Sequence, residues 1–153
     1  MTHEERAPQH LEIEAADGQI LKATLFAPAG TPKAALQINA GLGLKRRVYR
    51  HLAAYLAAHG YAVLTMDFRG VGDSRPRNLR GFRARLRDWG QLDLAAGLDW
   101  LARRYPDLPK LAVGHSIGGP LIGLMPNHGL LDGIVLLFAG EGNLSVLPFK
   151  IWT

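Results

Sequence analysis

The sequence contains no cysteine among its 153 residues. This absence excludes a disulfide-stabilised scaffold, a thiolate metal site and a cysteine nucleophile. Long apolar runs are also missing, since the longest nearly apolar stretch, residues 133–139, is far too short to span a bilayer. The N-terminus is polar and acidic and lacks the apolar segment of a secretory signal. We therefore expect a cytoplasmic protein with no transmembrane segment.

Hydrophobic residues make up 48% of the chain and charged residues 20%, which is typical of a folded domain rather than a disordered one. Positive charge is concentrated in residues 45–87, where eleven Lys and Arg stand against two Asp. Such a block is most often a solvated loop and helix face, although it also fits nucleic acid, an anionic membrane or an acidic ligand. The Arg-rich segment 69–87 lacks aromatic interleaving and any nucleic-acid motif, so we expect no nucleic-acid partner.

Hydrophobic patterning indicates an α/β fold with a mostly parallel sheet flanked by helices. Residues 10–14 and 20–26 flank an Ala-Asp-Gly turn and predict an antiparallel N-terminal hairpin. Short, nearly continuous apolar strands then alternate with helix-length segments, as in a parallel sheet that is buried on both faces. The predicted strands are 34–39, 61–67, 110–114 and 133–138, and the predicted helices are 48–59, 86–105 and 117–127.

Helical spacing predicts which side chains face the sheet. The first helix carries one apolar stripe and the second carries another. The stripes are Leu52, Tyr55, Leu56 and His59 on the first helix, and Leu94, Leu98 and Leu101 on the second. Asp88 and Asp93 flank Trp89 near the start of the second helix, where negative charge suits a helix N-terminus.

Residues 114–118 read Gly-His-Ser-Ile-Gly, a G-x-S-x-G sequence that follows an apolar strand and opens a predicted helix. This context predicts a nucleophile elbow, in which a sharp turn presents the Ser116 hydroxyl at a helix N-terminus. The flanking glycines are needed because the backbones crowd there. The alternative is a Gly-rich turn with an incidental serine. Residues 39–44, Asn-Ala-Gly-Leu-Gly-Leu, follow the third strand and could supply a second oxyanion donor, or could form an ordinary strand-to-helix turn.

Three motifs in order resemble the N-terminal half of an α/β-hydrolase of the serine aminopeptidase or monoacylglycerol-lipase-like branch. They are residues 40–43 (Ala-Gly-Leu-Gly) with 49–53 (Tyr-Arg-His-Leu-Ala), residues 67–74 (Asp-Phe-Arg-Gly-Val-Gly-Asp-Ser) and residues 114–119. The resemblance implies that Ser116 is the nucleophile and that the backbone N–H groups of Leu42 and Ile117 form the oxyanion hole. It also implies a small-molecule acyl substrate. Ala40 stands where the family usually has histidine.

The base that a serine nucleophile requires is not evident in the sequence. In this fold the chain order is serine, acid, histidine, but after Ser116 the only histidine is His128, which precedes both Asp132 and Glu141. The other histidines lie before or beside the serine. Since the family's acid and histidine follow later strands, we expect a chain truncated after about the sixth strand, with residues 139–153 as the start of a lid or cap insertion. The sequence does not distinguish a fragment, a gene interrupted by a frameshift and a partial sequence of a longer protein.

Two functions follow from these observations. The first is a serine hydrolase of ester or amide bonds in its complete form. The second is a catalytically inactive, truncated domain that binds a ligand or partner, or pairs with a complementing chain. The sheet edge that truncation leaves exposed also predicts self-association. We expect no cofactor, because the Gly-x-Gly sequences at 41–43 and 70–72 lack the third glycine of a dinucleotide fingerprint. We expect no metal, because no His, Asp and Glu cluster has ligand spacing.

Overall fold

Six strands of the computed structural model, which describes residues 6–138, form one sheet in the order β1-β2-β4-β3-β5-β6. Every predicted strand is present, with bounds that differ from the prediction by at most one residue. The strands are β1 (Gln9–Glu14), β2 (Ile20–Phe26), β3 (Ala34–Asn39), β4 (Tyr61–Met66), β5 (Lys110–His115) and β6 (Gly133–Leu137). The segment 139–153, for which the sequence predicts the start of a lid or cap, lies outside the described residues.

The sheet is mixed, as the sequence predicts. β1 pairs antiparallel with β2, and β2 pairs antiparallel with β4, whereas β4, β3, β5 and β6 run parallel to one another. The carboxyl ends of the four parallel strands therefore lie along one edge, which we call the carboxyl edge. In open α/β sheets this is the edge at which ligands bind.

The helical segments agree with the prediction in two of three cases. The first lies near 48–59 and the second is one continuous run from residue 86 to 104 with a π-helical turn in its middle. These segments are a 3₁₀ turn (Arg46–Tyr49) followed by α1 (Arg50–Ala58), and α2 (Leu86–Asp88), a π-helical turn (Trp89–Leu94) and α3 (Ala95–Arg104).

The predicted third helix, 117–127, is wrong. The structure instead has short 3₁₀ segments at Ser116–Gly118, Pro120–Leu124 and His128–Leu130. Two prolines and three glycines fall within 117–127. Each proline removes a backbone donor and each glycine raises the entropic cost of a helix, so an α-helix does not propagate through the segment.

The predicted stripe on α1 is wrong at most of its positions. Leu52 and Tyr55 are 37% and 61% exposed, whereas the buried positions of the helix are Ala53 and Ala57. Small side chains on this face let α1 lie close to β4. Leu52 and Tyr55 are turned toward solvent, whereas Leu56 is half-buried and packs against the core.

The second predicted stripe is confirmed. Leu94, Leu98 and Leu101 are almost completely buried. Gly97 lies so close to the sheet that a Cβ there would be 2.7 Å from the buried amide oxygen of Gln37. Within residues 6–138, no helix has both the length and the apolar character needed to cross a bilayer.

β6 is the last strand of the described sheet and is poorly covered. Its side chains from Ile134 to Leu137 are 37% to 57% exposed, and they point alternately to both faces. No charged residue interrupts this strand. An uncharged apolar edge of this kind favours pairing with another strand.

A buried arginine ties three parts of the chain together. Arg69 is 5% exposed; its backbone N–H and Nε donate to Asp93 at 2.8 and 2.7 Å, and its other nitrogens donate to Asp17 in the β1–β2 turn. Asp93 is fully buried, and this burial raises the pKa of its carboxyl to about 6 despite the opposing effect of Arg69. The prediction that Asp93 acts at a helix N-terminus is therefore wrong, since the carboxylate is the partner of Arg69.

We predict that Arg69→Met lowers the free energy of unfolding by about 3 to 5 kcal/mol at neutral pH, because it leaves a buried carboxylate without its cation. Without Arg69 the pKa of Asp93 rises further. A raised carboxyl pKa gives stability that is complete below the unfolded value of 3.8 and is lost as pH rises through the folded value. Urea unfolding should therefore show a much smaller deficit near pH 5 than near pH 8.

The matched control is the double variant Arg69→Met/Asp93→Asn, which removes both charges and should recover part of the loss at neutral pH. An equal deficit at both pH values would contradict the buried-charge explanation.

Candidate active site

Ser116 lies at a sharp turn directly after β5. Its backbone is in the left-handed region, with φ 51°, which is unusual for a residue that is not glycine. Ser116 opens the 3₁₀ segment Ser116–Gly118 and is half-buried. A strained serine between a strand and a helical turn is the geometry expected of a nucleophile elbow.

The two glycines of the G-x-S-x-G sequence are required by backbone contacts. A Cβ on Gly114 would lie 2.5 Å from the Cα of Gly119. A Cβ on Gly118 would lie 2.3 Å from the carbonyl oxygen of Asn39 and 2.7 Å from that of Ala40. Any side chain at either position would force the backbone apart.

These contacts place the elbow directly against the loop that follows β3. The side chain of the fully buried Asn39 donates to the carbonyl oxygen of Gly118 at 3.4 Å. Asn39 in turn accepts a hydrogen bond from Gln37, whose amide also donates to the carbonyl of Leu94. Hydrogen bonds of these buried side-chain amides therefore connect the elbow to the end of the π-helical turn.

The β3 loop forms a tight turn at residues 41–44. Leu44 N donates to the carbonyl of Gly41 at 3.1 Å, and Gly43 at the third position has φ 70°. This positive φ explains why glycine is needed at that position. Leu42 occupies the second position, where its N–H is not used by the turn, and its side chain is 54% exposed.

Tyr49 connects this loop to the elbow, a role that the sequence did not reveal. Its hydroxyl oxygen accepts a hydrogen bond from Gly41 N at 2.9 Å and lies 2.8 Å from Nδ1 of His115. Tyr49 is buried, and this burial raises the pKa of its phenol. The side chain of His115, adjacent to Ser116, is thus engaged with Tyr49. The sequence matched Tyr49 to a motif but gave no indication of this contact.

None of the remaining histidines in the described chain forms a hydrogen bond with the serine. His128 Nδ1 pairs with the carbonyl of Met125, His59 Nδ1 pairs with that of Tyr55 at the end of α1, and His10 pairs with Thr24. Within residues 6–138, no hydrogen bond joins the Ser116 hydroxyl to a histidine ring.

The Asp-x-Arg-Gly-x-Gly-x-Ser sequence after β4 forms hydrogen bonds that stabilise the loops at the carboxyl edge. Asp67 is buried and accepts hydrogen bonds from the backbone N–H groups of Arg46 and Asp73, at 2.6 and 3.0 Å, and from the Arg46 guanidinium. The Ser74 hydroxyl donates to the Asp67 carbonyl at 2.7 Å. At Gly72, a Cβ would lie 2.5 Å from the Asp67 carboxylate. The motif therefore fixes the loop after β4 rather than contributing a reactive group.

No cluster of three or more His, Asp and Glu side chains in the described part of the chain could hold a metal ion. A cavity of about 440 Å³ lies between α1 and the sheet, lined partly by Lys45, Arg47 and His51. It does not include Ser116, Leu42 or Ile117. All three of these sequence-predicted residues instead lie on the carboxyl edge, at the ends of β3 and β5.

Comparison with known proteins gives a consistent family. The model of the family described as serine aminopeptidase, S33, matches residues 30–137. Monoglyceride lipase of Homo sapiens is 32% identical over 128 residues, which cover 80% of this chain and 40% of that protein.

Solved structures agree with this result. A thermostable carboxyl esterase from Bacillus coagulans superposes with a TM-score of 0.71 at 25% identity, covering 86% of this chain and 44% of that one. An α/β serine hydrolase without lid from Xanthomonas campestris has a TM-score of 0.72 at 18% identity, covering 89% and 63%, and shares the fold. This chain thus spans less than half the length of the lipase and the esterase. It belongs to the serine aminopeptidase S33 family of α/β-hydrolases, in the monoacylglycerol-lipase-like branch.

Proposed function

We propose that Ser116 is the nucleophile of a serine hydrolase that cleaves carboxylic ester or amide bonds. The observation that carries this proposal is the left-handed backbone of Ser116 at the end of β5, packed directly against the β3 loop. In the proposed reaction Ser116 Oγ bonds to the carbonyl carbon and loses its proton to a base. The leaving group takes that proton as its bond to carbon breaks, and water then hydrolyses the acyl-enzyme.

The backbone N–H groups of Leu42 and Ile117 are the proposed oxyanion hole. Ile117 lies in the first turn of a 3₁₀ segment, where N–H groups have no helical acceptor. Leu42 N–H lies at the second position of the 41–44 turn, whose internal hydrogen bond comes from Leu44. The contact of Gly118 with the carbonyls of Asn39 and Ala40 supports their close approach. Two such donors would stabilise the negative charge that develops on the carbonyl oxygen.

The base and its orienting acid are proposed to come from outside residues 6–138. The Ser116 hydroxyl has no histidine partner among the described residues, and a serine hydroxyl is a weak nucleophile without one. This chain covers less than half the length of the lipase and the esterase, and the further sequence of those relatives is long enough to supply both the base and the acid. In this view, the 153-residue chain is inactive alone.

The proposed substrate is a small-molecule acyl ester. We place the reaction in the cytoplasm and propose that it needs no cofactor and no nucleic-acid partner. Two of the relatives are a monoglyceride lipase and a carboxyl esterase, and these names support an ester substrate. None of the proposed steps needs a metal or an organic cofactor.

The second candidate is a catalytically inactive binding or interaction domain that associates with itself. The uncharged, exposed edge of β6 favours this candidate. Two copies could pair their β6 strands antiparallel about Val135, which would bury the edge of both.

Fluorophosphonate labelling tests the nucleophile. We expect weak labelling of the 153-residue chain and strong labelling of a chain extended, through the reading frame of its source gene, to the length of its relatives. Ser116→Ala should abolish the label in the extended chain, whereas Ser145→Ala, the matched control, should not. Strong labelling of the 153-residue chain would contradict the missing base, and label that survives Ser116→Ala would contradict the nucleophile.

Tyr49→Phe tests the support of the oxyanion loop. Removing the hydroxyl leaves the buried N–H of Gly41 without an acceptor, so the free energy of unfolding should fall by about 1 to 3 kcal/mol in urea titrations. Labelling of the extended chain at Ser116 should also slow. Tyr55→Phe is the control, because Tyr55 is 61% exposed. Equal effects of the two substitutions would show that the Tyr49 hydroxyl does not hold the loop.

Val135→Lys tests self-association through β6. A charge at the centre of an apolar edge strand opposes pairing, so light scattering should show oligomers of the unchanged chain and mainly monomer of the variant. Val48→Lys is the matched control, because Val48 and Val135 are 56% and 55% exposed on different elements. A monodisperse monomer of the unchanged chain would contradict the second candidate.

A further inference from the structure

Six arginines lie between residues 75 and 87, a range that contains no acidic residue. All six are exposed. Within the described part of the chain, none of them forms an ion pair with a carboxylate. They are Arg75, Arg77, Arg80, Arg83, Arg85 and Arg87. We call residues 75–87 the arginine segment.

The arginine segment is anchored by groups other than its arginines. The ring of Phe82 packs against Gly70, where a Cβ would lie 3.0 Å from it. Beyond the segment, Trp89 stacks on Phe68 with ring centroids 4.6 Å apart and donates to the Arg69 carbonyl at 3.2 Å. The middle of the segment and the residues just after it are therefore held to the loop that follows β4, and the guanidinium groups are left to solvent.

The arginine segment lies on the same edge of the sheet as Ser116. It follows β4, whose carboxyl end lies beside that of β3, and β3 in turn lies beside β5, the strand that Ser116 follows. Gly90, three residues after its end, lies so close to the segment after the elbow that a Cβ would be 2.7 Å from the Leu121 carbonyl. A surface bound by the arginine segment would therefore also face the candidate active site.

The chemistry of the segment favours an array of phosphates. A guanidinium presents a planar fork of donors that matches phosphate oxygens, and six of them without counter-charge form a strongly positive surface. Apolar side chains stand among them: Leu79, between Arg77 and Arg80, is 46% exposed, and Leu42 on the neighbouring loop is 54% exposed. The aromatic rings of Phe82 and Trp89 pack against the protein, so they are not free to stack on nucleic-acid bases.

We propose that the arginine segment binds an anionic phospholipid surface, with its arginines on the phosphates and Leu79 at the acyl boundary. Binding of this kind needs no reaction at Ser116 and thus goes beyond the proposed hydrolysis. It would set the carboxyl edge, with the candidate active site, against the membrane.

Vesicle flotation tests the proposal, because bound protein rises with the vesicles whereas self-associated protein does not. We expect the 153-residue chain to float with vesicles of phosphatidylcholine and phosphatidylglycerol, to stay behind with phosphatidylcholine alone, and to be released as salt is raised. Arg77→Glu/Arg80→Glu should lower the partition coefficient by about 30-fold or more, since each arginine near an anionic surface contributes about fivefold.

The matched control is Arg103→Glu/Arg104→Glu, which changes the net charge equally at the end of α3, on the opposite edge of the sheet. It should keep most of the binding. Leu79→Ser should weaken binding without changing its salt dependence. Ser116→Ala should bind as the unchanged chain does, so that a failure of the hydrolase proposal leaves this result intact. Circular dichroism confirms that each variant is folded.

Three results would overturn the proposal. The first is equal flotation with neutral and anionic vesicles, and the second is an equal loss in the two double-charge variants. The third is displacement from anionic vesicles by duplex DNA at a lower phosphate concentration than that of the lipid, which would assign the arginine segment to nucleic acid.

Discussion

The backbone contact between the elbow after β5 and the loop after β3 is the constraint on which the candidate site depends. Gly118 lies against the carbonyls of Asn39 and Ala40 with no room for a side chain, and Gly114 lies equally close to Gly119. Strand pairing of β3 with β5 brings these segments together, with Asn39 opposite Gly114. Because the glycines allow the close approach, Ser116 is held in the left-handed conformation directly beside the loop that follows β3.

Buried polar contacts hold the rest of the carboxyl edge in position. The Asp67 carboxylate accepts hydrogen bonds from backbone N–H groups that follow β3 and β4. Arg69 connects the loop after β4 to the π-helical turn and to the β1–β2 turn. The loop after β3 has alanine at the usual histidine position of the family. Here the Tyr49 hydroxyl, between Gly41 and His115, provides the side-chain contact to that loop. The arginine segment begins directly after Ser74, whose hydroxyl donates to the Asp67 carbonyl, so its start is fixed to this part of the carboxyl edge.

The sequence predicted what depends on local pattern. Strands were found within one residue because near-continuous apolar runs bounded by glycine and proline are distinctive, and the sharp turn at Ser116 was found because its flanking glycines are sterically required. The stripe on α1 was wrong at Leu52 and Tyr55, because helical spacing alone does not distinguish them from the nearby alanines and close packing on the sheet selects the smaller residues. The contacts Arg69–Asp93 and Tyr49–His115 join residues 24 and 66 positions apart, so no local pattern could reveal them.

The central claim is that the Ser116 hydroxyl and the N–H groups of Leu42 and Ile117 converge on one reacting carbonyl. The most direct test is a crystal structure of a longer form of the chain with a phosphonate bound covalently at Ser116. The account predicts a phosphoryl oxygen about 2.7 to 3.1 Å from both backbone nitrogens. An adduct whose oxygen points to solvent, or a Ser116 whose backbone leaves the left-handed region, would contradict it.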